Sequence, residues 1–213
     1  MRRKEFDMKE NREETEAFLA EMTHGFLGTV GADGWPSVTP LNFVYVRNAV
    51  YFHGARIGEK MAAIAANPRV TFTVAREYAI VPSYYTDPVM ACPATAYFKS
   101  VMISGLAQAV TDLEEKADAL EAFMRKLQPE GGYRAIDAGD KAYVPRLKGV
   151  AVVRIDADAV SAKFKFGQNL NEEVRTSVIR QLTERNLPLD VETAALMRRY
   201  CPHAYSAGES TDE

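Results

Sequence analysis

Residues 25–54 read GFLGTVGADGWPSVTPLNFVYVRNAVYFHG, and three strand-prone runs separated by two turns lie within this one stretch. The first run, Gly25 to Val30, meets Asp33-Gly34, a pair that suits the left-handed backbone of a hairpin. The second, Pro36 to Val46, ends at Arg47-Asn48, and the third, Ala49 to Gly54, follows at once. Connections this short favour an antiparallel meander, because parallel neighbours need a long crossover.

Upstream, Asp7 to Met22 places Phe18, Leu19 and Met22 on one face of an amphipathic helix. Downstream, Ile57 to Ala66 reads as a helix stopped by Asn67-Pro68, and Arg69 to Ala75 alternates as a strand. Glu77 to Pro93 holds three prolines and three tyrosines without a period and reads as a long loop. Ala94 to Val110 returns to strand character, Asp112 opens a helix to about Leu127, and Gln128 to Gly132 breaks it. Gly149 to Ile155 is a further strand, followed by helices over Asn171 to Arg185 and Val191 to Tyr200. The expected class is α+β, mainly β: an antiparallel sheet or barrel of six or more strands, with helices packed outside.

At 213 residues the chain is expected to form one domain over 1–205, with an N-terminal helix within 1–24, C-terminal helices over 170–200 and a polar tail over 206–213. A hydrophobic share of 47% and a charged share of 26% exclude disordered and fibrous classes. The net charge of −3 gives no basic field, so neither nucleic acid nor an acidic membrane is an expected partner. The two cysteines, Cys92 and Cys201, lie far apart without Cys/His metal spacing, so no metal site is expected and a reducing, cytoplasmic setting is. Cys92 reads as a small buried residue.

The densest chemistry lies where the third strand ends. His53-Gly54 closes the strand, and Gly58-Glu59-Lys60 opens the next helix. Glycines permit close approach, unpaired N–H groups at a helix start favour an anion, and Lys60 adds a full positive charge, which together suit a phosphate. His53 fits a ligand hydrogen bond, proton transfer or metal ligation, and equally a strand cap bonded to backbone. Lys60 read alone is a solvated lysine beside Glu59. Lys99-Ser100 offers a second charge with a hydroxyl, and Lys165, Gln168 and Asn169 a third polar group. Pro40-Leu41-Asn42-Phe43 suits the edge of a planar heterocycle, or a core strand with Asn42 at its margin. Tyr84, Tyr85 and Asp87 fit a pocket mouth or a dimer contact, while Glu114, Glu115, Lys116, Arg198 and Arg199 read as solvated helix faces.

The order Val38-Thr39-Pro40-Leu41-Asn42, Val50-Tyr51-Phe52-His53, Lys60, Asn67-Pro68-Arg69-Val70 and Tyr97 to Gly105 resembles the pyridoxamine 5′-phosphate oxidase-like FMN-binding split β-barrel family. Within it the chain looks most like the nitroimidazole-resistance branch. The resemblance covers Phe26 to Val110 and, more loosely, Gly149 to Asn169. It implies a six-stranded split barrel that dimerises with itself and holds FMN at the subunit interface. Val38, Thr39, Pro40, Leu41 and Asn42 would then follow the isoalloxazine and ribityl chain, Phe52, His53 and Gly54 would lie beside the flavin, and Gly58 and Lys60 would hold the phosphate. Lys99 and Ser100 would reach the flavin from the facing half, and Lys165, Gln168 and Asn169 would form a C-terminal contact.

Two departures bear on activity. Pyridoxamine 5′-phosphate oxidases carry an Arg-x-His-Asp-Arg run where this chain reads Phe166-Gly167-Gln168-Asn169-Leu170, and an arginine where it has Glu59. Both changes remove cations, which argues against vitamin B6 oxidation. The resemblance instead implies an FMN-dependent oxidoreductase acting on a small organic acceptor such as a nitroaromatic, with His53 orienting the substrate or supplying a proton. The alternatives are a haem-handling split barrel with His53 or His24 as axial ligand, a flavin-binding module without turnover, and use of the deazaflavin F420.

Overall fold

The computed structural model describes residues 4–8 and 10–200. The expected tail over 206–213 and Cys201 lie outside them. Among the described residues the chain runs α1 (Arg12–Glu21), β1 (His24–Val30), β2 (Pro36–Asn42), β3 (Val44–Val46), β4 (Ala49–Gly54), α2 (Glu59–Ala66), β5 (Arg69–Val81), β6 (Thr95–Ala109), α3 (Leu113–Leu127), α4 (Val144–Gly149), β7 (Ala151–Lys165), α5 (Glu172–Arg185) and α6 (Asp190–Arg199). The fold is α+β, as the sequence implies, with seven strands in one open antiparallel sheet ordered β2-β1-β5-β6-β7-β4-β3. No helix among the described residues is long and apolar enough to cross a membrane.

The seventh strand arises because the expected run Pro36 to Val46 breaks at Phe43. β2 and β3 are the two edges of the sheet, so a single residue carries the chain from one edge to the other. Phe43 is pinned there. Its ring packs edge-on against Phe72 at 5.0 Å, its N–H donates to Thr23 O, and the Lys126 ammonium lies 4.5 Å over the ring. Lys126 also donates to Leu19 O at 3.1 Å and Phe43 O at 3.4 Å. Burial pushes this lysine down to about 8, the cost of placing an ammonium at a packed corner.

The turns follow their sequences. Val46 pairs with Ala49 across Arg47 and Asn48, whose φ values of 51° and 64° make the two-residue turn that matches strand twist. The first hairpin is longer than its Asp-Gly pair suggests. Val30 pairs with Pro36, and the loop between them is held by Gly34 at φ 82° and by Trp35 N–H donating to Asp33 Oδ1.

The described residues pack as two compact units: a first drawn from the described residues within 4–10, 75–100 and 162–200, and a second from Asn11–Val74 and Val101–Ser161. The core of the second unit gathers Val44, Ala49, Tyr51, Val110, Ala119, Phe123 and Val152. α3 presents Ala119 and Phe123 to it, one helical turn apart, and Asp112 caps its start by accepting from Glu115 N–H at 2.7 Å. Its first turn is only in part the solvated face expected: Glu114 is exposed, whereas the next two residues are engaged. Glu115 accepts from Tyr51 Oη at 2.9 Å and from Arg154 Nη1 at 2.7 Å, while Lys116 is buried and donates to Leu147 O and Val150 O.

In the first unit the expected loop Glu77 to Pro93 is shorter than read. β5 continues to Val81 because Tyr78, Ala79 and Val81 are buried, and a tight turn over Ser83–Tyr85 follows. Tyr85 is tied to α5 through Gln181 Nε2, which donates to Tyr85 O at 3.1 Å. Asp87 accepts from Val89 and Met90 N–H and serves the turn, and these bonds hold its carboxyl below the usual range. Asp190, 1% exposed, receives Arg185 through two nitrogens at 2.7 and 2.9 Å, which fixes the α5–α6 turn.

Candidate functional site

The stretch from Phe52 to Lys60 folds in the second unit as a strand end followed by a helix start. β4 ends at Gly54 and α2 begins at Glu59, capped by Gly58 at φ 126°, a backbone conformation that suits only glycine. No side chain caps this helix, and its ladder begins with Ala62 N–H to Gly58 O, so the first-turn N–H groups face outward as anion donors. Lys60 folds back over the strand end. Its Nζ lies 5.0 Å from the Phe52 ring centroid, and a Cβ on Gly54 would stand 3.8 Å from it. The ammonium is half-buried, and burial lowers its pKa from the ordinary lysine value.

Beside Lys60 runs a groove of about 500 Å³, bounded by the first hairpin and α2 and lined by Thr29, Trp35, Ser37, Thr39, Glu59 and Lys60 among others. Its size is ordinary for a small-molecule site. One ammonium, three hydroxyls and an indole suit a phosphate carried on a polar chain with a ring attached. Glu59 and Asp33 are the discordant groups, since both acidic residues share the groove, Asp33 with one carboxylate oxygen accepting from Trp35 N–H.

Strand alternation sorts the expected residues. Along β2 the burial pattern places Ser37, Thr39 and Leu41 on one side and Val38, Pro40 and Asn42 on the exposed side. Of the five residues expected along the ligand, only Thr39 lines this groove. Asn42 is engaged elsewhere: its Nδ2 donates to Thr23 O at 3.0 Å and sits 3.4 Å from His24 Nδ1. Thr29, Trp35 and Ser37 were not among the residues singled out from the sequence. The hairpin register, with Thr29 opposite Ser37 and Leu27 opposite Thr39, is the signal that locates them.

His53 leaves β4 on the side opposite Phe52 and Gly54, and its ring stands edge-on to Phe123 at 4.8 Å. Partial burial of the ring, and then the charge on Lys60, hold its pKa below the usual histidine value, so the imidazole is neutral at pH 7. Lys60→Gln is therefore expected to raise the His53 pKa, read from imidazole proton shifts against pH. An unchanged titration would show that the ring does not feel this charge.

The remaining expected residues lie in the first unit. Lys99 is held over the rings of Tyr78 and Phe164 at 5.4 and 5.1 Å, with Ser100 next along β6. Lys165 donates to Thr95 Oγ1, and Asn169 is exposed. Gln168 spends both ends of its amide on its own turn: Nε2 donates to Phe164 O and Oε1 accepts from Phe166 N–H, each at 2.7 Å. One amide N–H and one carbonyl lone pair remain after these two bonds. Cys92, expected to be buried, is exposed, because it falls in the irregular segment between Tyr85 and Thr95 where no strand covers it.

No curated protein matches the sequence. Among solved structures, a candidate 5-nitroimidazole antibiotic resistance protein from Bacteroides thetaiotaomicron is 24% identical, covering 71% of this chain and 82% of that one, with a TM-score of 0.58. The flavocytochrome Anf3 from Azotobacter vinelandii is 24% identical, covering 78% and 72%, with a TM-score of 0.61. An FAD and heme binding protein from Mycobacterium smegmatis is 17% identical, covering 72% and 71%, with a TM-score of 0.59. At these identities the likeness is one of fold. Residues 11–164 match the family model for pyridoxamine 5′-phosphate oxidase. That match runs from the cap of α1 almost to the end of β7, and this chain belongs to the pyridoxamine 5′-phosphate oxidase-like family of split-barrel proteins.

Proposed function

We propose that this protein binds FMN in the groove of the second unit and uses it as an oxidoreductase towards a small organic acceptor, a nitroaromatic being the type case. The observation that carries the reading is Lys60, half-buried at the uncapped start of α2 beside a hydroxyl-lined groove. A phosphomonoester bears about −1.5 to −2 charges at neutral pH, which one ammonium and the first-turn N–H groups together match. Thr29, Ser37 and Thr39 are the hydroxyls for the ribityl chain, and Trp35, 74% exposed, stands at the rim. FMN, when bound, supplies the hydride or single-electron chemistry; the chain's task is to hold, orient and shield it. His53 lies outside the lining of this groove, on the side of β4 that faces Phe123, so a proton-transfer role for it rests on the family resemblance alone. Lys165, Gln168 and Asn169 have no part in the flavin site in this reading.

The same proposal includes self-association. Phe26, Val30 and Val38 stand exposed on one outward face of β1 and β2, with Val38 67% and Phe26 45% exposed, and Pro36 and Pro40 between them. A contiguous apolar face of this kind suits burial against a second copy of the chain. Val38→Asp is expected to halve the mass seen by light scattering at micromolar concentration. A dimer unaffected by that charge would place the interface elsewhere.

The absorbance spectrum of the purified protein, with mass spectrometry of the released cofactor, tests the reading. Flavin bands with the mass of FMN, bleached by a reduced nicotinamide, support it. A Soret band would favour haem handling, a deazaflavin mass would favour F420, and bound FMN that no donor reduces would leave a binding module. Colourless protein that ignores added FMN would overturn it.

A further inference from the structure

We infer that a second groove, built entirely within the first unit, binds a small organic monoanion: a carboxylate on an aromatic or otherwise apolar body. The groove measures about 470 Å³ and is lined by Lys163, Lys165, Thr95, Asn169, Phe6 and Phe98 among others. Two ammonium groups stand in this lining; among the described residues no carboxylate is part of it, and Asp7 pairs with Lys163 through a backbone bridge at its margin. Lys163 and Lys165 are two residues apart on β7, so the pleat sends both to one face. Lys163 Nζ lies 5.3 Å from the Phe98 ring centroid and 5.7 Å from that of Phe6, which holds the charge against apolar walls. Lys165 is steadied by its bond to Thr95 Oγ1.

The charge of the ligand follows from the donors. The nearby helix start, at α5, is already capped, with Asn171 Oδ1 accepting from Val174 N–H at 2.9 Å. That cap takes one of the first-turn N–H groups, and a dianionic phosphate between aromatic walls would lose hydration that the rings do not replace. A carboxylate loses less, and its apolar body gains the ring surfaces of Phe6 and Phe98.

Cys92, exposed and part of the same lining, provides the readout. In the full chain, the rate of iodoacetamide alkylation at Cys92 is followed by peptide mass spectrometry against 2-naphthoate, with 2-naphthalenemethanol as the neutral counterpart, in the presence and absence of FMN. Naphthoate is expected to slow alkylation saturably, with the alcohol about tenfold weaker or more, the loss of one charge-assisted contact. Lys163→Gln is expected to weaken naphthoate by a similar factor without changing FMN binding, and Lys163→Arg to retain it, which separates charge from packing. No protection at saturating naphthoate, equal protection by the alcohol, or a glutamine variant as well protected as the wild type would each overturn the inference. Cys92 reports on this groove whether or not FMN binds in the other, so the two proposals fail separately.

Discussion

Replacing Lys60 with glutamine is expected to weaken FMN binding by roughly 10- to 100-fold. A hydrogen bond to a charged group contributes about 1.5–3 kcal/mol, and each 1.4 kcal/mol is tenfold in affinity. Glutamine keeps a polar group over Phe52 and Gly54, so the loss is one of charge rather than of packing. The lysine is half-buried, and its burial lowers its own pKa, so removing it is expected to leave the thermal midpoint of the apoprotein almost unchanged. The same depressed pKa gives a pH dependence. FMN affinity falls as alkaline pH strips the Lys60 proton, beginning lower than for an ordinary lysine, and the glutamine variant shows no such fall. Equilibrium dialysis of FMN across pH checks both. A variant that binds FMN as the wild type does would remove Lys60 from the site.

The largest expected effect on stability lies at a position with no part in ligand binding. Gly105→Ala is expected to cost about 3 kcal/mol or more, or to prevent folding. A Cβ on Gly105 would stand 1.9 Å from Asp156 O and 2.9 Å from its carbonyl carbon. Both atoms are backbone, so no side chain can turn aside and the strands must part. Gly28 is the control, because a Cβ there meets Thr71 Oγ1 at 2.5 Å, an atom that a rotamer change can move. Urea unfolding of the two alanine variants is expected to separate them by well over 1 kcal/mol. Equal midpoints would contradict this close approach of β6 and β7.

What the sequence made legible was local. Arg47-Asn48 marked its turn, Asp112 and Asn171 cap the helices they were expected to open or adjoin, and the strand end and helix start from Phe52 to Lys60 lie within one short stretch of chain. The break at Phe43 was not legible, because its cause lies in Lys126 and Phe72, distant in sequence. Nor was the reach of β5 past Glu77, where buried Tyr78, Ala79 and Val81 outweigh the flanking prolines. The groove shows the same division. Lys60, which lines it, was singled out from its neighbours in the chain, whereas Thr29, Trp35 and Ser37 required the hairpin register, and Val38, Pro40 and Asn42 were separated from Thr39 only by alternation. The turn that Gln168 bonds to itself was likewise not legible, because a sequence does not show which backbone groups an amide meets.

The single tryptophan of the chain, Trp35, lines the groove beside Lys60 and makes the central claim directly measurable. Titrating the apoprotein with FMN and, separately, with riboflavin while following Trp35 emission compares ligands that differ only in the phosphate. Saturable quenching by FMN, at concentrations roughly tenfold or more below those riboflavin requires, is the predicted result. Equal affinity for the two, or FMN that leaves the emission unchanged, would contradict a phosphate site at the start of α2.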